Sequence, residues 1–284
     1  MQAWTNQKFI TVPDQATVSQ ISPDFSLFET FALRGGRVES PEFHEARMMS
    51  GLDHLSLDKS KLHLNFSDKI HHWSPILKNL LSSEKLTDAI VRWMVVPSND
   101  GSLTEWVTVR QLPATPVSVD LFLLKKVRDK AEWFPRPKTG PWKNSQAALD
   151  ELKKLSLGFD VEGVQVDSLG NISDCTRSAL AWWDGSEWFT PSPETQCLSS
   201  TSLQTFQRSL RSKKSIKPVN QSFPRHAKSL IIFRSTFEGG AVGVKNVFNS
   251  EREIVWTASP NQDEAISALA HLKEFRLQRS VSLL

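Results

Sequence analysis

Few residue patterns among these 284 residues declare a chemistry by themselves. There is no GxSxG turn, no Walker loop, no GxGxxG and no HExxH. His71 and His72 stand side by side before Trp73, but a metal needs a third and usually a fourth ligand, and the sequence offers none at matching spacing. Cys175 and Cys197 are the only cysteines. Two are too few for a disulfide framework, and neither has a Cys or His nearby to share a metal, so no metal and a reducing compartment are expected. What remains are groups whose chemistry depends on their surroundings. They are Lys138 in Lys138-Thr139-Gly140, Arg47 three residues after His44, Arg92 inside an apolar run, Asp174, and the hydroxyl run Ser199 to Ser202. A lysine amine condenses with an aldehyde only when neutral, which calls for desolvation and neighbouring positive charge. The arginine fork suits phosphate oxygens. Unpaired N–H groups and the dipole at a helix start likewise favour an anion.

These groups need elements to hold them. Leu27 to Leu33, a tight Arg34-Gly35-Gly36-Arg37 turn and Val38 read as a hairpin. Ser40 followed by Pro41 and Glu42 reads as an N-cap and first turn, and Phe43, Ala46, Met49 and Leu52 then recur at helical spacing on the segment that carries Arg47. A second helix is expected over His72 to Ser83. Strands are expected over Ala89 to Val96, with Arg92 inside, and over Leu103 to Gln111 and Val117 to Leu124. From Lys125 to Gly140 the pattern lapses into charge and proline, which marks a linker. The chain therefore divides into an N-terminal lobe (1–124), a linker (125–137) and a C-terminal lobe (138–284) that begins at Lys138. In that lobe Lys143 to Leu155, Thr201 to Leu210 and Asp263 to Leu277 read as helices. Val161 to Val166 and Ser229 to Arg234 read as strands, and Ser178 to Trp183 with Glu187 to Thr190 as a hairpin. Strands mixed with helices in two lobes point to an α+β fold.

Composition narrows the partners. With 39% hydrophobic and 23% charged residues the chain is an ordinary globular protein. A formal net charge of +3, with basic and acidic residues interleaved, argues against nucleic acid. The densest basic stretch, Arg208 to Lys217, reads as a solvated helix end and loop. The N-terminus has no basic segment followed by an apolar run, and no stretch is long enough to span a bilayer. A soluble cytoplasmic protein with no membrane partner is expected.

Taken in order, the same segments resemble the class IV, D-amino-acid-aminotransferase-like family of pyridoxal-phosphate enzymes, over most of the chain. Leu27-Phe28-Glu29-Thr30 before the glycine turn is similar to the family's "FET" or "FEG" strand. His44 to Met48 is similar to its H-x-x-R-L helix, and Lys138-Thr139-Gly140 stands where it has the Schiff-base lysine. Val161 to Trp182 matches without a gap its "DEALLLD", turn and "V-x-E-x-x-x-x-N" run. Thr190-Pro191 followed by Cys197 to Ser202 matches "TP" and "L-P-G-I-T-R", and Ser235-Thr236 stands near its last phosphate-contacting hydroxyl. The resemblance implies a two-lobe fold, pyridoxal phosphate as cofactor, Lys138 as the lysine that holds it, and Arg47, Ser200, Thr201, Ser202 and Thr236 around its phosphate. Asp174 would pair with its ring nitrogen, which keeps the ring an electron sink.

Departures from the family pattern bear on activity. Asp174 replaces Glu, Ala179 replaces Asn, Ala181 replaces Phe, Pro141 stands near a common Asn, and Ser200 replaces Gly. There is no tyrosine, so Trp142 or Trp182 would fill space that members give to tyrosines. Thr30, where branched-chain members tend to have glycine, tilts the resemblance toward the lyase that converts 4-amino-4-deoxychorismate to 4-aminobenzoate and pyruvate. In that reading Thr30 orients the leaving pyruvyl group and Arg92 meets a substrate carboxylate. Transamination of branched-chain or D-amino acids is the alternative, and a family fold that has lost catalysis and serves in binding is the third. The partner would be a small molecule bearing an amino group, and a homodimer is implied by the resemblance.

Overall fold

Along Ser26–Arg34 every second side chain belongs to one apolar face, and the register with the neighbouring strand decides which face that is. The computed structural model describes residues 1–13, 25–130, 136–140, 143–155, 160–210, 215–259 and 263–284. Its elements run, in chain order, β1 (Gln2–Thr5), β2 (Lys8–Thr11), β3 (Ser26–Arg34), β4 (Arg37–Glu39), α1 (Pro41–His54), α2 (Ile70–Glu84), β5 (Ala89–Pro97), β6 (Leu103–Gln111), β7 (Ser118–Val127) and β8 (Thr139–Gly140). They continue with α3 (Lys143–Leu155), β9 (Val161–Val166), β10 (Ile172–Cys175), β11 (Ala179–Trp183), β12 (Trp188–Pro191), α4 (Thr201–Ser209), β13 (Ile216–Val219) and β14 (Ser229–Phe233). Last come β15 (Ala241–Phe248), β16 (Ile254–Thr257), α5 (Asp263–Gln278) and β17 (Ser280–Ser282). The fold is α+β, as the mixture of patterns implies.

The chain forms two units. The first comprises Met1–Pro113, Pro137–Pro141 and Arg276–Leu284. Its antiparallel sheet has the order β17-β4-β3-β5-β6-β1-β2, with β8 added to the start of β3. Glu29 lies opposite Trp93 and Phe31 opposite Val91, so Leu27, Glu29, Phe31 and Leu33 share the face that packs on α1 and α2. Met48 and Leu52 of α1, with Trp73, Leu77 and Leu80 of α2, complete that core. Phe28 and Thr30 therefore belong to the opposite face, across from Met94 and Arg92.

The second unit comprises Ala114–Arg136 and Trp142–Phe275. Its sheet has the order β10-β9-β7-β15-β14-β11-β12-β13, with β16 on β15, and it is parallel where β7 meets β9 and β15 and where β12 meets β13. Ala148 and Leu152 of α3 cover Phe122 and Leu124 of β7, while Phe206 of α4 and Leu272 of α5 pack with Trp188 and Phe233.

Three expectations need correction. The break in periodicity after Lys125 is not a linker between two consecutive lobes. β7 runs through Val127 as an inner strand paired on both sides, and β8 returns to the first unit's sheet. Parallel pairing with strands far ahead in sequence leaves no local signature. Ser40 has a left-handed backbone, φ 49°, and its Oγ has no partner, so Pro41 rather than a side-chain cap marks the start of α1. The buried face of α1 runs through His44, Met48, Gly51 and Leu52, whereas Ala46 is exposed. Of the basic run, Arg208 lies in α4 and Lys217 pairs with Glu187 at 2.6 Å, while residues 211–214 lie outside the described residues.

Candidate active-site residues in each unit

In the first unit β3 places a carboxylate in an apolar core, where it must find partners. Glu29, 1% exposed, accepts from Arg47 Nε at 2.6 Å and Arg47 Nη2 at 2.6 Å, so both its oxygens meet the guanidinium fork. His44, one turn earlier on α1, contacts Glu29 Oε2 through Nδ1 at 2.7 Å. A carboxylate can only accept, so Nδ1 carries the proton. Burial works against the Glu29 charge, but Arg47 outweighs it and holds the carboxyl far below the usual range. Burial also pushes His44 down, which keeps the imidazole neutral.

Lys138 joins this cluster through backbone pairing. Phe28 N donates to Lys138 O at 3.1 Å, the first bond of the β3 to β8 contact. Lys138 Nζ stands 5.0 Å from the centroid of the Phe28 ring, and the Arg92 guanidinium carbon stands 4.2 Å from the same centroid. Desolvation, then the charges of Arg47 and Arg92, bring the amine down to about 7, against the opposing charge of Glu29. Arg92 itself is brought down to about 10 by burial and by Arg110, and its Nε has no hydrogen-bond partner. Thr30 lies directly across from Arg92 in the register. The first unit thus brings together a near-neutral amine, two arginines, a buried carboxylate and a threonine.

The second unit holds Asp174, 6% exposed, at the end of β10. Its Oδ2 accepts from Arg128 Nη2 at 3.1 Å and from Leu198 N at 3.1 Å, and its Oδ1 from Gln165 Nε2 at 3.5 Å. Gln165 Oε1, fully buried, has no donor among the described residues. Ser200 caps α4, its Oγ accepting from Leu203 N at 3.3 Å, and Thr201 and Ser202 begin the helix as buried residues. Thr236, 9% exposed, follows β14 in a turn braced by Glu162. Glu162 accepts from Thr176 Oγ1 at 2.8 Å, Arg177 N at 3.0 Å and Ser178 Oγ at 3.1 Å, and it pairs with Arg234.

A sequence model described as "Amino-transferase class IV" matches residues 26–242, a span that includes Lys138, Asp174 and Thr236. The chain belongs to the class IV aminotransferase family. Members are pyridoxal-phosphate enzymes, and this family member is one of them. No curated protein sequence matches the chain. Three solved structures share the fold at low identity. A hypothetical aminotransferase from Mycobacterium tuberculosis in its PLP-bound form has a TM-score of 0.71 at 15% identity over 98% of this chain and 99% of its own. The branched-chain amino acid aminotransferase from Escherichia coli has a TM-score of 0.71 at 14% identity over 94% and 91%. A protein described as a 4-amino-4-deoxychorismate lyase, from Legionella pneumophila, has a TM-score of 0.68 at 15% identity over 89% and 92%.

Each unit of this class IV enzyme carries residues that suit groups of the family's cofactor. Its aldehyde needs a neutral amine, and Lys138 is near that condition at neutral pH. In the first unit the Arg47 guanidinium is a group of the kind a phosphate suits, and in the second unit the hydroxyl-rich start of α4 suits an anion on its own account. A protonated ring nitrogen suits Asp174 and the orphaned acceptor Gln165 Oε1. Among the described residues no group of His, Cys, Asp and Glu could hold a metal. His71 and His72 face each other, with ring centroids 4.2 Å apart, and His72 Nδ1 donates to His63 O at 3.0 Å. Pro141 and Trp142 lie outside the described residues, and Trp182 is spent on the core, stacked against Phe189. Sequence reasoning missed Glu29, Arg128, Gln165 and Glu162 as partners. Glu29 and Glu162 lie within the matched motifs, so the one available signal was a charged residue at an inward strand position. Arg128 was hidden in the stretch read as linker.

Proposed function

We propose that this enzyme is a pyridoxal-phosphate-dependent lyase that converts 4-amino-4-deoxychorismate to 4-aminobenzoate and pyruvate, working as a cytoplasmic homodimer. The supporting observation is the Arg92 side chain, whose desolvated guanidinium has an unused Nε, shares the Phe28 ring with Lys138 and lies across from Thr30. A desolvated guanidinium with no carboxylate beside it among the described residues calls for a carboxylate ligand. In this reading Arg92 binds a carboxylate of the substrate and Thr30 orients the pyruvyl group. Arg47, Ser200, Thr201, Ser202 and Thr236 hold the cofactor phosphate, and Asp174 pairs with the ring nitrogen. When bound, the cofactor supplies an electron sink for charge on the amino-bearing carbon. Lys138 takes the proton from that carbon and delivers one to the methylene carbon of the departing pyruvyl group, while the carbon–oxygen bond breaks and the ring becomes aromatic. Atoms balance without a second substrate.

Transamination of branched-chain amino acids is the second reading. It is favoured by the apolar neighbours of Arg92 on the same sheet face, Phe28, Met94 and Trp106, and by the branched-chain enzyme among the structural neighbours. The holoenzyme supplied with 4-amino-4-deoxychorismate and no keto acid is expected to release 4-aminobenzoate and pyruvate. Amino transfer to a keto acid with no 4-aminobenzoate would defeat the lyase. A protein that takes up no pyridoxal phosphate and shows no visible cofactor band would defeat both, leaving a binding role.

A further inference from the structure

Asp174 is one methylene shorter than the family's glutamate, and its two oxygens are treated unequally. Oδ2 takes two donors, Arg128 Nη2 and Leu198 N, both at 3.1 Å. Among the described residues Oδ1 has only the Gln165 amide, at 3.5 Å. Arg128 in turn is fixed from several sides. It is 7% exposed, its backbone N donates to Val166 O at 2.7 Å, Nη1 donates to Ser145 Oγ at 3.1 Å, and Nε points to Gln196 O at 3.5 Å. The other charged groups of this cluster are Arg136, which donates to Asp129 O at 2.9 Å, and the Asp129 carboxylate; the Cys175 and Cys197 thiols are both pushed up, Cys197 to about 12, and stay neutral.

We propose that Arg128 is a positioning residue for the cofactor's ring nitrogen. It occupies Oδ2 so that Asp174 presents Oδ1 alone, and its positive charge sets how firmly that nitrogen keeps its proton. The inference rests on the proposed pairing of Asp174 with the ring nitrogen. Two effects follow from the geometry. A fork anchored at Ser145, Gln196 and Asp174 compensates for the short side chain by fixing its torsion. A guanidinium beside the carboxylate also opposes a further positive charge on its other side. Gln165, whose Oε1 lacks a donor, is the second acceptor available to the same N–H.

The test uses holoenzyme loaded with pyridoxal phosphate carrying ¹⁵N in the ring, whose nitrogen resonance is followed against pH by NMR. Asp174→Asn is expected to leave the nitrogen deprotonated at neutral pH. If that variant leaves the resonance unmoved, the Asp174 pairing fails and the inference falls with it. Arg128→Gln is expected to raise the pH at which the nitrogen loses its proton, while the Arg128→Gln, Asp174→Asn double variant is expected to keep the nitrogen deprotonated at neutral pH. A wild-type titration in Arg128→Gln, with Asp174→Asn responding, overturns the role of Arg128 alone. Arg128→Lys keeps the charge and guards against a misfolded glutamine variant. It is expected to titrate near wild type while losing cofactor about tenfold faster, by analogy with residues that orient metal ligands. Unchanged retention in that variant would overturn the positioning role.

Discussion

Lys138 gains its reactivity from what surrounds it, and the sign of each contribution is testable. Its proton affinity is lowered in the folded state from the ordinary 10.5 to about 7, so the unfolded chain binds more protons between those values. This group therefore destabilises the apoprotein most below about pH 7, and the penalty fades as pH rises toward 10.5. Lys138→Met should raise the melting temperature of the apoprotein at pH 6, with little gain at pH 10, while the variant loses the visible band of the lysine-bound cofactor. A band that survives in Lys138→Met would show that another lysine holds the cofactor. Because the Glu29 charge favours the ammonium form, Glu29→Gln should move the pH midpoint of cofactor capture below that of the wild type. Arg47→Met takes both guanidinium bonds from the buried Glu29 charge and leaves it neutral His44 and the Lys138 amine, and a broken buried pair of this kind costs about 3–5 kcal/mol. Chemical denaturation would measure that loss. Lys138, Arg47 and Asp174 stand out as candidates from their type and ordered spacing. Their partners do not, because Glu29 becomes a partner only through the face that strand register gives it, and Arg128 only through long-range pairing of β7.

At the level of elements, the sequence reading recovered the helices and the longer strands, whose periodicity is strong. It missed β1, β2, β8, β10, β13, β16 and β17, which are short, and β15, where Gly243, Lys245 and Asn246 interrupt the apolar run. Two elements offer direct tests. Ser200→Ala removes the cap of α4 and should cost about 1 kcal/mol, read as a lower melting temperature and weaker inorganic phosphate binding. Weaker phosphate binding without loss of stability would separate an anion contact from a cap. Gly163→Ala would put a methyl within 2.5 Å of Leu124 Cδ1, so overpacking of about 1–3 kcal/mol is expected in thermal denaturation.

Across the whole chain, the expected division into consecutive lobes was the least legible feature. The charged, proline-containing stretch mimics a linker, whereas the actual units are assembled from separated segments. The last residues illustrate this. β17 pairs with β4, Leu283 is 3% exposed, and Arg276 pairs with Glu39 at 2.7 Å, all within the first unit. Removing residues 276–284 takes away β17, the buried Leu283 and the Arg276 partner of Glu39 together, and should therefore lower the melting temperature of that unit. Hydrogen exchange of β3 and β4 amides would locate the effect. A fragment of residues 1–124, complete by the sequence reading, should fail to fold because it lacks β8 and β17 while carrying the unpartnered β7.

The first unit borrows Lys138 from a five-residue segment, Pro137–Pro141, whose flanking chain on both sides belongs to the second unit. The reactive amine is thus installed by a brief visit of the backbone, secured by the few bonds that join β8 to β3. Neither unit could be inherited, transplanted or expressed as a self-sufficient cassette without severing Lys138 from one of its supports. Newly made chains must also wait for the first stretch of the second unit to emerge before that amine can be seated.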